Sequence, residues 1–247
     1  MKKNNIYFAS DFHLGAPNLE ESHKREKLIV QWLTSIENDA KAIYLVGDIF
    51  DFWFEYRTVV PKGYIRLLGK LANLADNGTA IHLFVGNHDL WMKDYLEIEI
   101  GVTIHYKNII IKEGKKKLFI GHGDGLGKGD YFYKFIRKIF TSKTCQWAFS
   151  LLHPNLAFKL AHTWSKSSRR NSKKEELVSN EKEILFGYCK DQQKINTVDY
   201  YIFGHRHLPL ELKLDKRAKY INLGDWLNYY TYAVLDNGKV KLRTYKN

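Results

Sequence analysis

The stretch Ala42-Ile43-Tyr44-Leu45-Val46-Gly47-Asp48-Ile49-Phe50-Asp51 decides the fold. Its first five residues are apolar and read as a buried strand. Gly47 lets the chain turn sharply as it leaves the sheet, and two carboxylates follow at once. The same succession of apolar run and polar turn recurs on either side. Residues 6–9 lead into Asp11-Phe12-His13, and residues 81–85 into Gly86-Asn87-His88-Asp89. Residues 118–120 lead into Gly121-His122-Gly123-Asp124, and residues 200–203 into Gly204-His205-Arg206-His207.

Helical patterns separate these runs. Leu28, Ile29, Trp32, Leu33 and Ile36 fall on one helix face. Ile65, Leu68, Ala72 and Ala75 form a second stripe that stops at Asn77-Gly78. Further strands are expected at 102–111 and 220–223, with a closing pair at 232–235 and 240–245 around the turn Asp236-Asn237-Gly238. Strands alternating with helices predict an α/β core with parallel pairing.

Between 126 and 195 the sequence changes character. Phe132, Phe135, Ile136, Ile139 and Phe140 make one helical stripe, and Leu177, Ile184, Leu185 and Tyr188 another. From Leu126 to Lys174 there are eleven Lys/Arg (128, 134, 137, 138, 143, 159, 166, 169, 170, 173, 174) against one acid, Asp130. The expected organisation is an α/β core formed by 1–125 and 196–247, with 126–195 inserted as a helical lid.

Composition narrows the partners. Across 247 residues, 39 Lys+Arg against 27 Asp+Glu leave a net charge of +12, which favours anionic ligands or surfaces without choosing among them. The two cysteines, Cys145 and Cys189, lack metal-type spacing and predict no disulfide framework. No signal-peptide pattern opens the chain and no apolar run approaches the ~18 residues of a membrane span. A cytoplasmic protein, free or peripherally bound to a membrane, is expected.

The five turns share one chemistry. In an extended strand end, residues i and i+2 point the same way, so Asp11 with His13, and His205 with His207, can each grip one ion. Imidazole, carboxylate and amide oxygen without thiolate suit Mn²⁺, Fe²⁺ or Zn²⁺. Two such ions about 3.5–4 Å apart can clamp a phosphoryl group during in-line attack, and Asp48, in the middle of the set, is the natural shared ligand.

In this order the blocks resemble the calcineurin-like metallophosphoesterase superfamily, an αββα sandwich. That resemblance implies Asp11, His13, Asp48 and His207 on one ion, with Asp48, Asn87, His122 and His205 on the other. It places His88 beside the phosphate as electrostatic stabiliser or general acid, and gives Asp51 and Asp89 the task of holding the ligands in place. Asp48-Ile49-Phe50-Asp51-Phe52-Trp53, His122-Gly123-Asp124 and Ile221-Asn222-Leu223-Gly224-Asp225-Trp226 look more narrowly like the UDP-2,3-diacylglucosamine diphosphatases of the lipid A pathway.

The narrower resemblance implies hydrolysis of a nucleotide-linked pyrophosphate to UMP and 2,3-diacylglucosamine 1-phosphate, with a pair of divalent ions, Mn²⁺ expected. It implies a glycolipid substrate at the cytoplasmic face of the inner membrane, and no nucleic-acid or obligate protein partner. It also implies substrate contacts from Asn87, His88, Asp130, Ser167, Asn171, Lys174 and His205, with the aromatic residues of the lid, Phe132, Phe135, Phe140, Trp147, Phe149, Phe158 and Trp164, near the acyl chains. One position departs: His88 stands where the best-known members have arginine. It leaves open a metallophosphoesterase acting on another nucleotide, phosphodiester or nucleic acid.

Overall fold

The computed structural model describes residues 3–127, 129, 131–172 and 184–246, with side chains excepted at 162, 164 and 166–172. Two sheets lie face to face. The first has the order β11-β10-β1-β2-β3-β4. Its strands β1 (Asn5–Ala9), β2 (Ala40–Val46), β3 (Ala80–Phe84) and β4 (Thr103–His105) run parallel, and the hairpin β10 (Thr231–Asp236) and β11 (Lys239–Thr244) joins antiparallel to β1. The second has the order β5-β6-β7-β9-β8. Here β6 (Lys116–Gly121), β7 (Tyr200–Phe203) and β9 (Lys219–Leu223) are parallel, flanked by antiparallel β5 (Ile109–Glu113) and β8 (Pro209–Lys213).

Strand periodicity explains the layering. Alternate residues of β1 and β2, Ile6, Phe8, Ala42, Tyr44 and Val46, face the gap between sheets and pack with Leu118, Ile120, Ile202 and Ile221. The intervening Tyr7, Ala9, Ile43 and Leu45 meet Trp32 and Leu33 of α1 (Leu19–Ile36) and Leu67 and Leu71 of α2 (Ile65–Asp76). On the outer face of the second sheet, Leu185 and Cys189 of α7 (Ile184–Gln193) pack against Phe119, Tyr201 and Phe203. Both sheets are therefore covered by helices, an αββα sandwich.

Some local expectations shift. The strand expected over 102–111 is two strands, β4 and β5, which belong to different sheets. The buried face of α2 is Leu67, Leu71 and Leu74; Ile65 is 77% exposed, and Leu68, Ala72 and Ala75 pack only at the margin. Glu26 of α1 reaches the start of α2, where its Oε1 accepts from Arg66 N (2.9 Å) and Leu67 N (3.1 Å). That carboxylate satisfies two of the helix's first amide donors and complements its dipole.

Three helices, α4 (Tyr131–Phe140), α5 (Lys143–Ser150) and α6 (Pro154–Ser172), stand over the edge of the sandwich. An aromatic cluster fastens them. Phe149 lies 4.5 Å from Trp91 and 4.9 Å from Phe54 between ring centroids, and Phe158 lies 5.2 Å from Phe52. The Trp91 indole N–H donates to Phe140 O at 2.6 Å, and Asp124 accepts from Tyr133 Oη and Arg137 Nε. Phe132, Phe135 and Trp147 stay open, 76%, 61% and 64% exposed, and the side chain of Trp164 lies outside the description. Among the described residues no helix is long and apolar enough to cross a membrane.

Candidate metal centre

All five motif loops leave the carboxyl ends of parallel strands, β1, β2 and β3 in one sheet and β6 and β7 in the other. Strand order brings these ends side by side, at the place where open α/β sheets bind ligands. Asp11, His13, Asp48, His205 and His207 all have positive φ, between 43° and 69°. A non-glycine residue is strained there, and such strain gathers at functional sites. This replaces the extended geometry expected from sequence. His205 and His207 enter different side-chain groups, whereas Asp11 and His13, also at positive φ, share one.

Two groups match the expected ligand sets, Asp11, His13 and His207 and then Asp48, His122 and His205, while a third, His13, Asp51 and His88, shares His13; within each, the ligand-type atoms lie within 4.8 Å of one another. Asn87 belongs to the second, with its Oδ1 3.1 Å from His122 Nε2 and 2.9 Å from His205 Nδ1. Asp48 stands between the two: its Oδ2 is 3.3 Å from His122 Nε2 and 3.7 Å from His13 Nε2.

The donor set fits divalent ions. His13 is fully buried and neither ring nitrogen has a hydrogen-bond partner. Carboxylate oxygens of Asp11, Asp48 and Asp51 surround it at 3.6–3.8 Å. These are too far for hydrogen bonds, and the Asp11 and Asp48 oxygens, both facing Nε2, suit atoms that share an ion with it. A buried nitrogen without a partner is costly, and a metal ion removes the cost.

Surrounding groups fix how the rings present themselves. His122 Nδ1 is 2.8 Å from Val46 O; a carbonyl only accepts, so Nδ1 carries the proton and Nε2 faces Asp48. Asp225 does the same for His207, accepting at 3.2 Å from Nδ1 while Nε2 faces Asp11. Asp225 is itself held by Asn228 N (2.8 Å) and Tyr229 N (3.1 Å). Asp89 ties two loops together, accepting from Gly86 N (2.7 Å) and Ile49 N (2.8 Å). Gly86 is compelled: a Cβ there would strike the Asp48 carboxylate and amide.

Arg25, reaching across from α1, is a part that no sequence motif marks. It is 8% exposed, and its guanidinium donates to Phe12 O (2.7 Å), His13 O (2.8 Å) and Ala16 O, clamping the loop that carries Asp11 and His13. Replacing it by alanine leaves three carbonyls in an apolar setting. Arg25→Ala is expected to destabilise the fold by about 2–4 kcal/mol; a urea midpoint unchanged from the parent would refute the clamp.

Electrostatics follow from crowding. Burial pushes the Asp48 carboxyl up, but His122, His88 and His13 together hold it well below the usual carboxylate range. Burial disfavours the charged form of His122, yet Asp48, Asp11 and Asp124 outweigh it and raise its pKa well above 6.5. Burial brings His88 and His205 down to about 4 each. Asp89 is pushed up to about 7, first by burial and then by the charge on Asp48.

His88 lies at the rim of the centre, its ring 4.7 Å from that of His13 between centroids. Of the other expected substrate contacts, Asp130 and Lys174 lie outside the described residues. Ser167 and Asn171 fall on α6, but their side chains lie outside the description as well.

Residues 5–209 match the family pattern described as calcineurin-like phosphoesterase. This chain belongs to that family. Among curated relatives, the UDP-2,3-diacylglucosamine hydrolase of Porphyromonas gingivalis is 37% identical, covering 98% of each chain. Proteins of the same name from Neisseria meningitidis and Pseudomonas putida are 29% and 27% identical, covering 94% and 90% of each chain. The family ties the two side-chain groups to phosphoester chemistry and makes divalent metal ions their fitting occupants.

Proposed function

We propose that this calcineurin-like phosphoesterase hydrolyses UDP-2,3-diacylglucosamine to UMP and 2,3-diacylglucosamine 1-phosphate, a step of lipid A biosynthesis. The carrying observation is the convergence of two metal-type groups on the single carboxylate Asp48, beneath a lid of aromatic helices. The relatives named for this substrate match across the lid as well as the core, which supports the same reading.

Asp11, His13, Asp48 and His207 would hold one ion, and Asp48, Asn87, His122 and His205 the other, with Mn²⁺ the expected metal. Bound there, the ions supply Lewis-acid polarisation of water and of the phosphoryl oxygens. Water oxygen bonds to the uridine-side phosphorus as its proton passes to solvent, and the bond to the bridging oxygen breaks. That oxygen leaves on the sugar phosphate. With a second phosphate pKa of about 6, such a leaving group departs near neutral pH without general acid help. His88 therefore need not donate a proton and serves by position and hydrogen bonding beside the phosphate.

The lid is the insertion 126–195 on the 1–125 and 196–247 core; within it α4 to α6 stand over the sandwich edge and α7 packs on the second sheet. The exposed Phe132, Phe135 and Trp147, with Lys134 and Lys138 on α4, suit contact with acyl chains and anionic headgroups, hence peripheral attachment to the cytoplasmic face of the membrane. Asp130, Ser167, Asn171 and Lys174, with Asn87, His88 and His205, complete the substrate contacts.

The purified protein with Mn²⁺ is to be offered the UDP-diacylglucosamine, a dinucleoside polyphosphate, cyclic nucleotides and single-stranded DNA. UMP release from the glycolipid alone is expected. Preference for any of the others would overturn the substrate and keep the family.

Metal loading has a predictable pH dependence. His122 must lose its proton to become a ligand, and its raised pKa means that the proton competes well above pH 6.5. Mn²⁺ affinity, measured by titration calorimetry from pH 6 to 8, is expected to rise with pH by up to about tenfold per unit for one displaced proton. A flat profile would contradict the placement of His122.

A further inference from the structure

Among the described residues, α6 of the lid makes a polar contact with the centre. On α6, Ala157, Ala161 and Ser165 recur at helical spacing along a single face. Ala157 is fully buried and Ser165 only 3% exposed, whereas Leu156 and Leu160 beside them are 49% and 51% exposed. The small side chains let the helix come close to the core, and Ser165 is the hydroxyl that this close approach delivers. Its Oγ lies 3.0 Å from His88 Nδ1. The same nitrogen lies 3.2 Å from the carbonyl oxygen of Asp51, in the loop that follows β2. A carbonyl only accepts, so Nδ1 carries the proton, and serine and carbonyl oxygens hold that N–H from two sides. With one anchor a histidine ring still swings in its broad, two-fold χ2 well; with two it does not.

We propose that Ser165 is a positioning residue: from the lid it fixes the His88 imidazole against the Asp51 carbonyl, so that seating of α6 and alignment of His88 are one event. This rests on the reading of His88 as the side chain beside the reacting phosphate. A lid that is not seated leaves His88 with Asp51 alone, and the centre is then complete in metals but out of alignment for turnover.

The test is a double-mutant cycle on the Mn²⁺-loaded full-length chain, with Ser165→Ala, His88→Ala and the double variant. Each is assayed on UDP-2,3-diacylglucosamine and on bis(p-nitrophenyl) phosphate. Ser165→Ala is expected to lower kcat about tenfold with KM changed less than about twofold, the scale of one hydrogen bond. In the His88→Ala background the same substitution is expected to change kcat by less than about twofold. Equal losses in both backgrounds would show Ser165 to be merely structural and overturn the proposal, as would an effect on KM alone or none at all. A His88→Ala variant with full activity would sink the proposal and leave the metal centre standing. Parent protein that cleaves only the artificial ester would overturn the lipid substrate, and the cycle on that ester still decides Ser165.

Discussion

Asp48→Ala is expected to lose at least about 10³-fold in kcat even at saturating Mn²⁺. The carboxylate holds three relations at once. Its Oδ2 faces both His122 and His13, and its Oδ1 accepts from His88 N at 2.8 Å. Removing it separates the two side-chain groups and releases the loop that bears Asn87 and His88. It also withdraws the charge that raises the His122 pKa, so the residual ion at that position is expected to bind with weaker pH dependence. Asp48→Asn keeps the shape and the bond to His88 N while removing the charge. A comparable loss in both variants assigns the effect to shared ligation. Near-parental kcat in either at saturating metal would refute the bridging role.

His88→Ala is expected to cost about 10²–10³-fold in kcat while leaving metal content unchanged. His88 makes contact with the centre through its neighbours: its amide binds Asp48 and its ring meets the Asp51 carbonyl. The variant keeps the amide and loses the ring. Elemental analysis of the purified variant, beside its kcat and KM, separates the two functions. Loss of bound metal in proportion to activity would make His88 a part of metal retention instead.

Much of this was legible in the sequence because the chemistry sits in short blocks. A metal centre needs its ligand types on the chain, and a glycine such as Gly86 is enforced by the approach of Asp48, so both leave local marks. Parallel pairing was legible from apolar runs alternating with helical stripes. Where the reading failed, the cause was conformation or distance. The extended-strand reading has His205 and His207 point alike; both have positive φ and they enter different groups, as the family resemblance implies. Spacing along a chain does not reveal left-handed turns at non-glycine residues. The Asp225 and Arg25 contacts join positions separated by 18 and 12–13 residues or reach across the sheet end, and no pattern of one segment encodes them. The short edge strand β8 begins at Pro209 and has a weak apolar pattern, so it escaped notice. The stripe on α4 was visible, but periodicity shows only that a face is apolar, not what covers it.

The central claim is a pair of ions sharing Asp48, and anomalous diffraction from Mn²⁺-soaked crystals tests it most directly. The account predicts two peaks per chain about 3.5–4 Å apart, with Asp48 Oδ2 between them, Asp11, His13 and His207 around one, and Asn87, His122 and His205 around the other. A single peak, or two peaks with Asp48 bound to only one of them, would contradict it.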